Sequence, residues 1–148
     1  MSLLDTVLDT ENQTQIILNP GEALAAIILA ATATDGYLSQ DEAQCISSRL
    51  SCLKLFRSYS NDLMNRLFDK ILTILQRDGL NTLFNAAKES LSEDLREAAF
   101  AIVTDMILAD GIVTEEEKSF LNDLYQSLGV STEIAVQTIQ VILIKNRG

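Results

Sequence analysis

The chain contains no histidine. Its absence removes the commonest general base and the commonest transition-metal ligand at once, so any metal site must use oxygen or sulfur donors. Proline occurs once and glycine six times in 148 residues, and no stretch sustains an alternation of apolar and polar side chains. A β-rich fold with many tight turns is thereby disfavoured. There is also no cluster of basic residues to set against a formal charge of −10. Nucleic acid and anionic membrane surfaces are poor partners for such a chain, whereas cations and basic proteins are better ones.

Long apolar runs are missing too. The most apolar stretch, ALAAIILAA over residues 23–31, is too short to cross a bilayer and reads as a buried helix. The first residues, MSLLDTVLDTENQ, are acidic and polar where an export signal would be basic and then apolar, so a cytoplasmic location is the expectation. The only cysteines, Cys45 and Cys52, lie two turns apart on an expected helix, roughly 10 Å between Cα atoms. That spacing is beyond disulfide reach, and both are expected to be core thiols.

What remains is enough apolar material, 47% of residues, for a sizeable core in one domain. The punctuation divides it into about seven helices, an all-α bundle. Asn19, Pro20 and Glu22 suit the start of a helix that should run to residue 34 or 35 and be closed by Gly36. Ser39 and Glu42 form a capping box for the second, expected to continue through Ile46, Leu50 and Leu53. Ser60 opens the third, carried by Leu63, Leu67, Ile71 and Leu75 to Asp78-Gly79, and residues 80–91 make a shorter fourth. Ser92 opens a long fifth helix ending at Asp110-Gly111. Thr114 and Glu117 repeat the capping box before a sixth that stops at Gly129. Residues 132–144 are rich in β-branched side chains but are read as a seventh helix.

Two stretches match across this pattern: DGYLSQDE at residues 35–42 and DGIVTEEE at 110–117. Their flanks align as well, with Ala26-Ile27-Ile28 over Ala101-Ile102-Val103 and Ile46 over Leu121. The chain therefore reads as a duplicated helical hairpin, with halves at about 20–55 and 95–130 and a pseudo-two-fold relation facing the acidic turns toward each other. Neither turn is an EF-hand. The spacing from glycine to glutamate fits, but loop positions one and three carry Ala31 and Ala33, then Met106 and Leu108, which offer no oxygen.

Two readings of the turns stand. In the first they are punctuation: a left-handed glycine ends one helix and a capping box starts the next, with Asp41, Glu115 and Glu116 favoured by the helix dipole. That account leaves Asp35 and Asp110 facing the negative end of a helix, which costs a few tenths to about 1 kcal/mol each. In the second, Asp35, Glu42, Asp110 and Glu117 converge on a cation. Four carboxylates about 6 Å apart would repel by roughly 3 kcal/mol per pair at an effective dielectric near 20, so a converged cluster needs a cation or protons.

ATDGYLSQDE and LADGIVTEEE, with their helical flanks, resemble the motifs of the TerB-like family, which includes tellurite-resistance TerB and the N-terminal domain of the co-chaperone DjlA. The resemblance spans residues 21–129. It implies an all-α fold and a divalent-metal site from the acidic residues of the two motifs, here Asp35, Glu42, Asp110 and Glu117. It also implies an accessory or scaffolding role, among other proteins, in tellurite or chemical-stress responses. Thr34 stands where the family usually has Ala, and without histidine the chain cannot carry the His-Pro-Asp motif of a J-domain. Oxygen ligands suit Ca²⁺, Mg²⁺ or Mn²⁺ better than Zn²⁺.

The alternative function is a plain interaction domain. The apolar stretch VILIK at residues 141–145 is expected first to pack in the core and next to self-associate, which makes a homodimer one of the partners considered. No nucleophile elbow, P-loop or cofactor fingerprint is present, so an enzyme is not expected. Tellurite, an oxyanion, is a poor direct ligand for so acidic a chain.

Overall fold

The computed structural model describes residues 16–32 and 39–147, except the side chain of Asp110. Among the described residues there are seven α-helices and no strand: α1 (Pro20–Thr32), α2 (Gln40–Ser51), α3 (Asn61–Asp78), α4 (Leu80–Glu89), α5 (Glu93–Ile107), α6 (Glu115–Leu128) and α7 (Thr132–Lys145). Short 3₁₀ turns at Lys54–Phe56 and Leu108–Asp110 follow α2 and α5. The all-α bundle expected from the sequence is the observed fold. No helix among the described residues is long and apolar enough to cross a membrane.

The starts of these helices follow from their first side chains. Asn19 Oδ1 accepts from the Glu22 amide at 2.8 Å while Glu22 Oε1 accepts from the Asn19 amide at 2.9 Å. This reciprocal pair satisfies two orphan donors, and Pro20 at the first position has no amide to satisfy. Ser39, Ser60, Ser92, Thr114 and Ser131 each accept a backbone N–H at the third position of the helix they open. The expected breaks at Gly79 and Gly129 are also observed, both glycines having positive φ.

α1 is the centre of the molecule. Every residue from Ala23 to Ala30 is buried, because α1 packs against α2, α3, α4 and α5 at once. A helix apolar on all faces has no other stable position in water. α3 is amphipathic by contrast, burying Met64, Leu67, Phe68, Ile71, Ile74 and Leu75 at helical spacing. α5 packs on α1 and also receives α6 and α7. α1 thus contacts α2, α5 contacts α6, and α1 and α5 contact each other.

Four expectations need correction. Cys45 and Cys52 are exposed, free thiols rather than core residues, because α2 buries only the Ile46–Leu50 line and both cysteines fall off it. The second helix stops at Ser51 and does not reach Leu53, since the chain turns into the 3₁₀ segment that buries Phe56. The fifth helix ends at Ile107, with a 3₁₀ turn to Asp110. In residues 141–145 only Ile142 is buried: α7 turns the Ala135–Ile142 line inward, with Ile134 and Ile139 half-buried beside it, and leaves Val141, Leu143 and Ile144 exposed. The end of the first helix beyond Thr32, with Gly36, lies outside the described residues.

Ile28→Ala should lower the unfolding free energy by about 2–5 kcal/mol, because its cavity would open in the fully buried helix. Leu63→Ala, on the exposed side of α3, should change it by less than about 0.5 kcal/mol. Urea denaturation of the two variants checks the contrast, and similar losses in both would remove α1 from the centre of the fold.

Candidate functional site

The second acidic turn is built by three local devices. The 3₁₀ segment Leu108–Asp110 hands over to Gly111, whose φ of 76° and ψ of −3° put it in the left-handed region, and its amide bonds Leu108 O at 3.1 Å. Three residues later Thr114 caps α6. Thr114 Oγ1 accepts from the Glu117 amide at 3.1 Å, and Glu117 Oε1 accepts from the Thr114 amide at 3.0 Å. Both halves of the box are made, and Glu115 and Glu116 join Glu117 in the first turn.

The first turn repeats part of this. Ser39 Oγ accepts from the Glu42 amide at 3.1 Å and donates to Glu42 Oε1 at 3.0 Å. In both boxes only Oε1 is engaged; Oε2 of Glu42 and of Glu117 makes no hydrogen bond to a described residue. Glu22 differs, because its Oε2 pairs with Lys70 Nζ at 2.9 Å. Of the other two sequence-predicted ligands, Asp35 lies outside the described residues, and Asp110 ends the 3₁₀ turn with its side chain likewise outside them. Among the described residues no three Asp, Glu or Cys side chains gather as a metal centre.

A charged cluster that the sequence analysis did not anticipate lies elsewhere. Asp105 on α5 takes Arg49 Nη1 of α2 on Oδ2 at 2.5 Å. Lys145 Nζ of α7 lies 2.9 Å from Oδ1, as an ion pair lacking the alignment of a hydrogen bond. One carboxylate thereby ties three helices together. Partial burial pushes the Asp105 carboxyl up, but the Lys145 ammonium and the Arg49 guanidinium beside it overcome this and hold it below the ordinary 3.8. No local signal marks the cluster, since its members are far apart in the chain.

Around it lie two open apolar grooves, one on each side of α7. The first, about 640 Å³, runs between Ala101 and Ile102 of α5, Cys52 at the end of α2, and Ile134 and Val141 of α7, with the Asp105 cluster on its wall. The second, about 450 Å³, runs between Leu121 and Tyr125 of α6 and Val136, Ile139 and Leu143 of α7. Four large apolar side chains of α7 are strongly exposed beside them: Val136 at 48%, Val141 at 63%, Leu143 at 44% and Ile144 at 58%. Such a concentration on one helix is unlike singly scattered surface residues.

Compared with protein-family models, curated proteins and solved structures, the chain matches none.

Asp105→Asn should lower stability at neutral pH by about 1 kcal/mol, as for a surface charge network. The sign with pH follows from the depressed pKa: the carboxylate's contribution is present above the ordinary 3.8 and is lost as pH falls through the lower folded value. The parent and Asp105→Asn urea midpoints should therefore differ at pH 7 and 5 and converge toward pH 3. A gap that is constant down to pH 3 would deny the cluster this role.

Proposed function

We propose that the chain is a non-enzymatic helical module that works by docking an apolar, helical protein surface against α7. The observation that carries this reading is the exposure of Val136, Val141, Leu143 and Ile144 along one helix, with an apolar groove on either side. A helix laid beside α7 would bury these side chains and fill a groove, the arrangement in which amphipathic helices are recognised. α7 also carries one acid, Glu133, and one base, Lys145, so this face lacks the negative charge found elsewhere on the chain. The accessory or scaffolding role implied by the TerB-like resemblance agrees with this reading, and the partners would then belong to a stress-response system.

Replacing Val136, Val141, Leu143 and Ile144 together by Gln should change the unfolding free energy by less than about 2 kcal/mol, since all four are surface positions. Proteins retained by the parent from extracts of its native cells should be lost by the variant. Equal retention by the folded variant would move the working surface away from α7.

A second reading is a divalent-cation module in the TerB-like manner, with Asp35, Glu42, Asp110 and Glu117 as ligands. It is favoured by the Oε2 of both Glu42 and Glu117, which bonds no described residue, and by the left-handed turn at Gly111. Ca²⁺, Mg²⁺ or Mn²⁺ are the ions that such oxygen donors suit. Chelator-treated protein melted with each ion should gain about 2.7 kcal/mol at 100 times the Kd, and Asp35→Asn/Asp110→Asn should lose that gain. An unchanged melt with every ion, Zn²⁺ included, would leave the turns as helix punctuation.

A further inference from the structure

Resting on the docking role of α7, we infer that the occupant of its first groove is a second copy of this chain, joined by an antiparallel α7–α7 seam. Ile134, Gln137, Val141 and Ile144 follow one another at intervals of three, four and three residues. This is the spacing that keeps a row of side chains facing a partner helix. Gln137, Val141 and Ile144 are exposed and Ile134 is half-buried, while the inward line of the helix is the separate pair Ala135 and Ile142. Three of the four seam residues are therefore additional to the packing that holds α7 on its own bundle, and Ile134 adds its uncovered half.

The row is self-complementary. With a two-fold axis level with Ile139, Ile134 of one copy lies opposite Ile144 of the other, and Gln137 opposite Val141. Every seam position then has a partner from the same set, as an isologous interface requires. Electrostatics favour this face over others. Two chains of formal charge −10 repel, and α6, for example, presents Glu115, Glu116, Glu117 and Asp123. The seam itself holds no charged residue. Glu133 of the two copies would be separated by roughly 18 Å along the pair, and so would Lys145, from the helical rise. Those separations exceed the screening length of about 8 Å at physiological salt.

Area decides what else must take part. α7 is only about 21 Å long, and a lone helix pair of that length falls short of the ~800 Å² per partner of a stable interface. The groove beside the seam provides the remainder. Its walls, Ala101 and Ile102 of α5 and Cys52 just after α2, flank Ile134 and Val141, so side chains of the other copy enter the groove as α7 meets α7. The polar Gln137 within an otherwise apolar row, set against Val141 of the other copy, lowers affinity.

Sedimentation equilibrium of the full chain over a concentration series, with far-UV melts as the folding control, tests this. The parent should approach twice its 16.3 kDa with rising concentration. Val141→Glu/Ile144→Glu should weaken association at least about tenfold with an unchanged melt, and Gln137→Leu should tighten it about tenfold, each about 1.4 kcal/mol. Parent and Gln137→Leu both monomeric at several hundred micromolar would overturn the dimer while leaving the docking of a different protein intact. A dimer mass that persists unchanged in Val141→Glu/Ile144→Glu would place self-association elsewhere and overturn the seam. Loss of neither self-association nor any captured protein in the α7 variants would end the docking reading as well.

Discussion

The structure depends on one constraint, the need to keep α1 out of water on every side. Residues 23–30 are all buried, so α1 can exist only inside a shell of other helices, and α2, α3, α4 and α5 supply it. At about 25 cal/mol per Å² of apolar surface, burying this run is a large favourable contribution to folding. The charged contacts are arranged around that core. Glu22 caps the start of α1 and pairs with Lys70 on α3, while Asp105 links α5 to α2 and α7 at the periphery. Exposed or half-exposed pairs of this kind add little energy each, but they fix how the shell helices are rotated around the centre.

The same constraint explains why α7 differs from the other helices. The four helices in contact with α1 find a wholly apolar neighbour, whereas α7 docks on α5, outside that shell. It can bury one line of side chains there, Ala135 and Ile142, yet its sequence is apolar around most of its circumference. The excess apolar surface is left beside two grooves and carries almost no charge. In a chain so acidic, the face with least charge is also the one that another protein can approach at the lowest electrostatic cost.

The helices were legible in the sequence because their boundaries are local chemistry. Asn19-Pro20-x-Glu22, Ser39-x-x-Glu42 and Thr114-x-x-Glu117 each specify a start within four residues, and the left-handed Gly129 specifies a stop. Phase was harder to read than extent. The usual burial of thiols points Cys45 and Cys52 to the core, whereas the phase of Ile46 and Leu50 on α2 places both outside. The Arg49–Asp105–Lys145 cluster was not legible at all, since it exists only once α2, α5 and α7 are brought together. The composition of VILIK shows that it is apolar, but its exposure depends on which helices remain to cover it, a property of the assembled bundle.

Two complete capping boxes and the half-made one at Ser39 bear on the meaning of the twin turns. The box at Asn19 and Glu22 has no Asp-Gly before it and opens α1 equally well, so the Ser/Thr-x-x-Glu half of the repeated motif is accounted for by helix initiation. Gly111 is accounted for by its positive φ. The cap hydrogen bonds and the left-handed Gly111 leave out one recurrent residue of the sequence motif, the aspartate before each glycine. Any use of the motif beyond folding therefore rests on Asp35 and Asp110. Changing Glu42 or Glu117 would unmake a cap and cost stability whether or not an ion binds, whereas changing the aspartates leaves those cap hydrogen bonds in place.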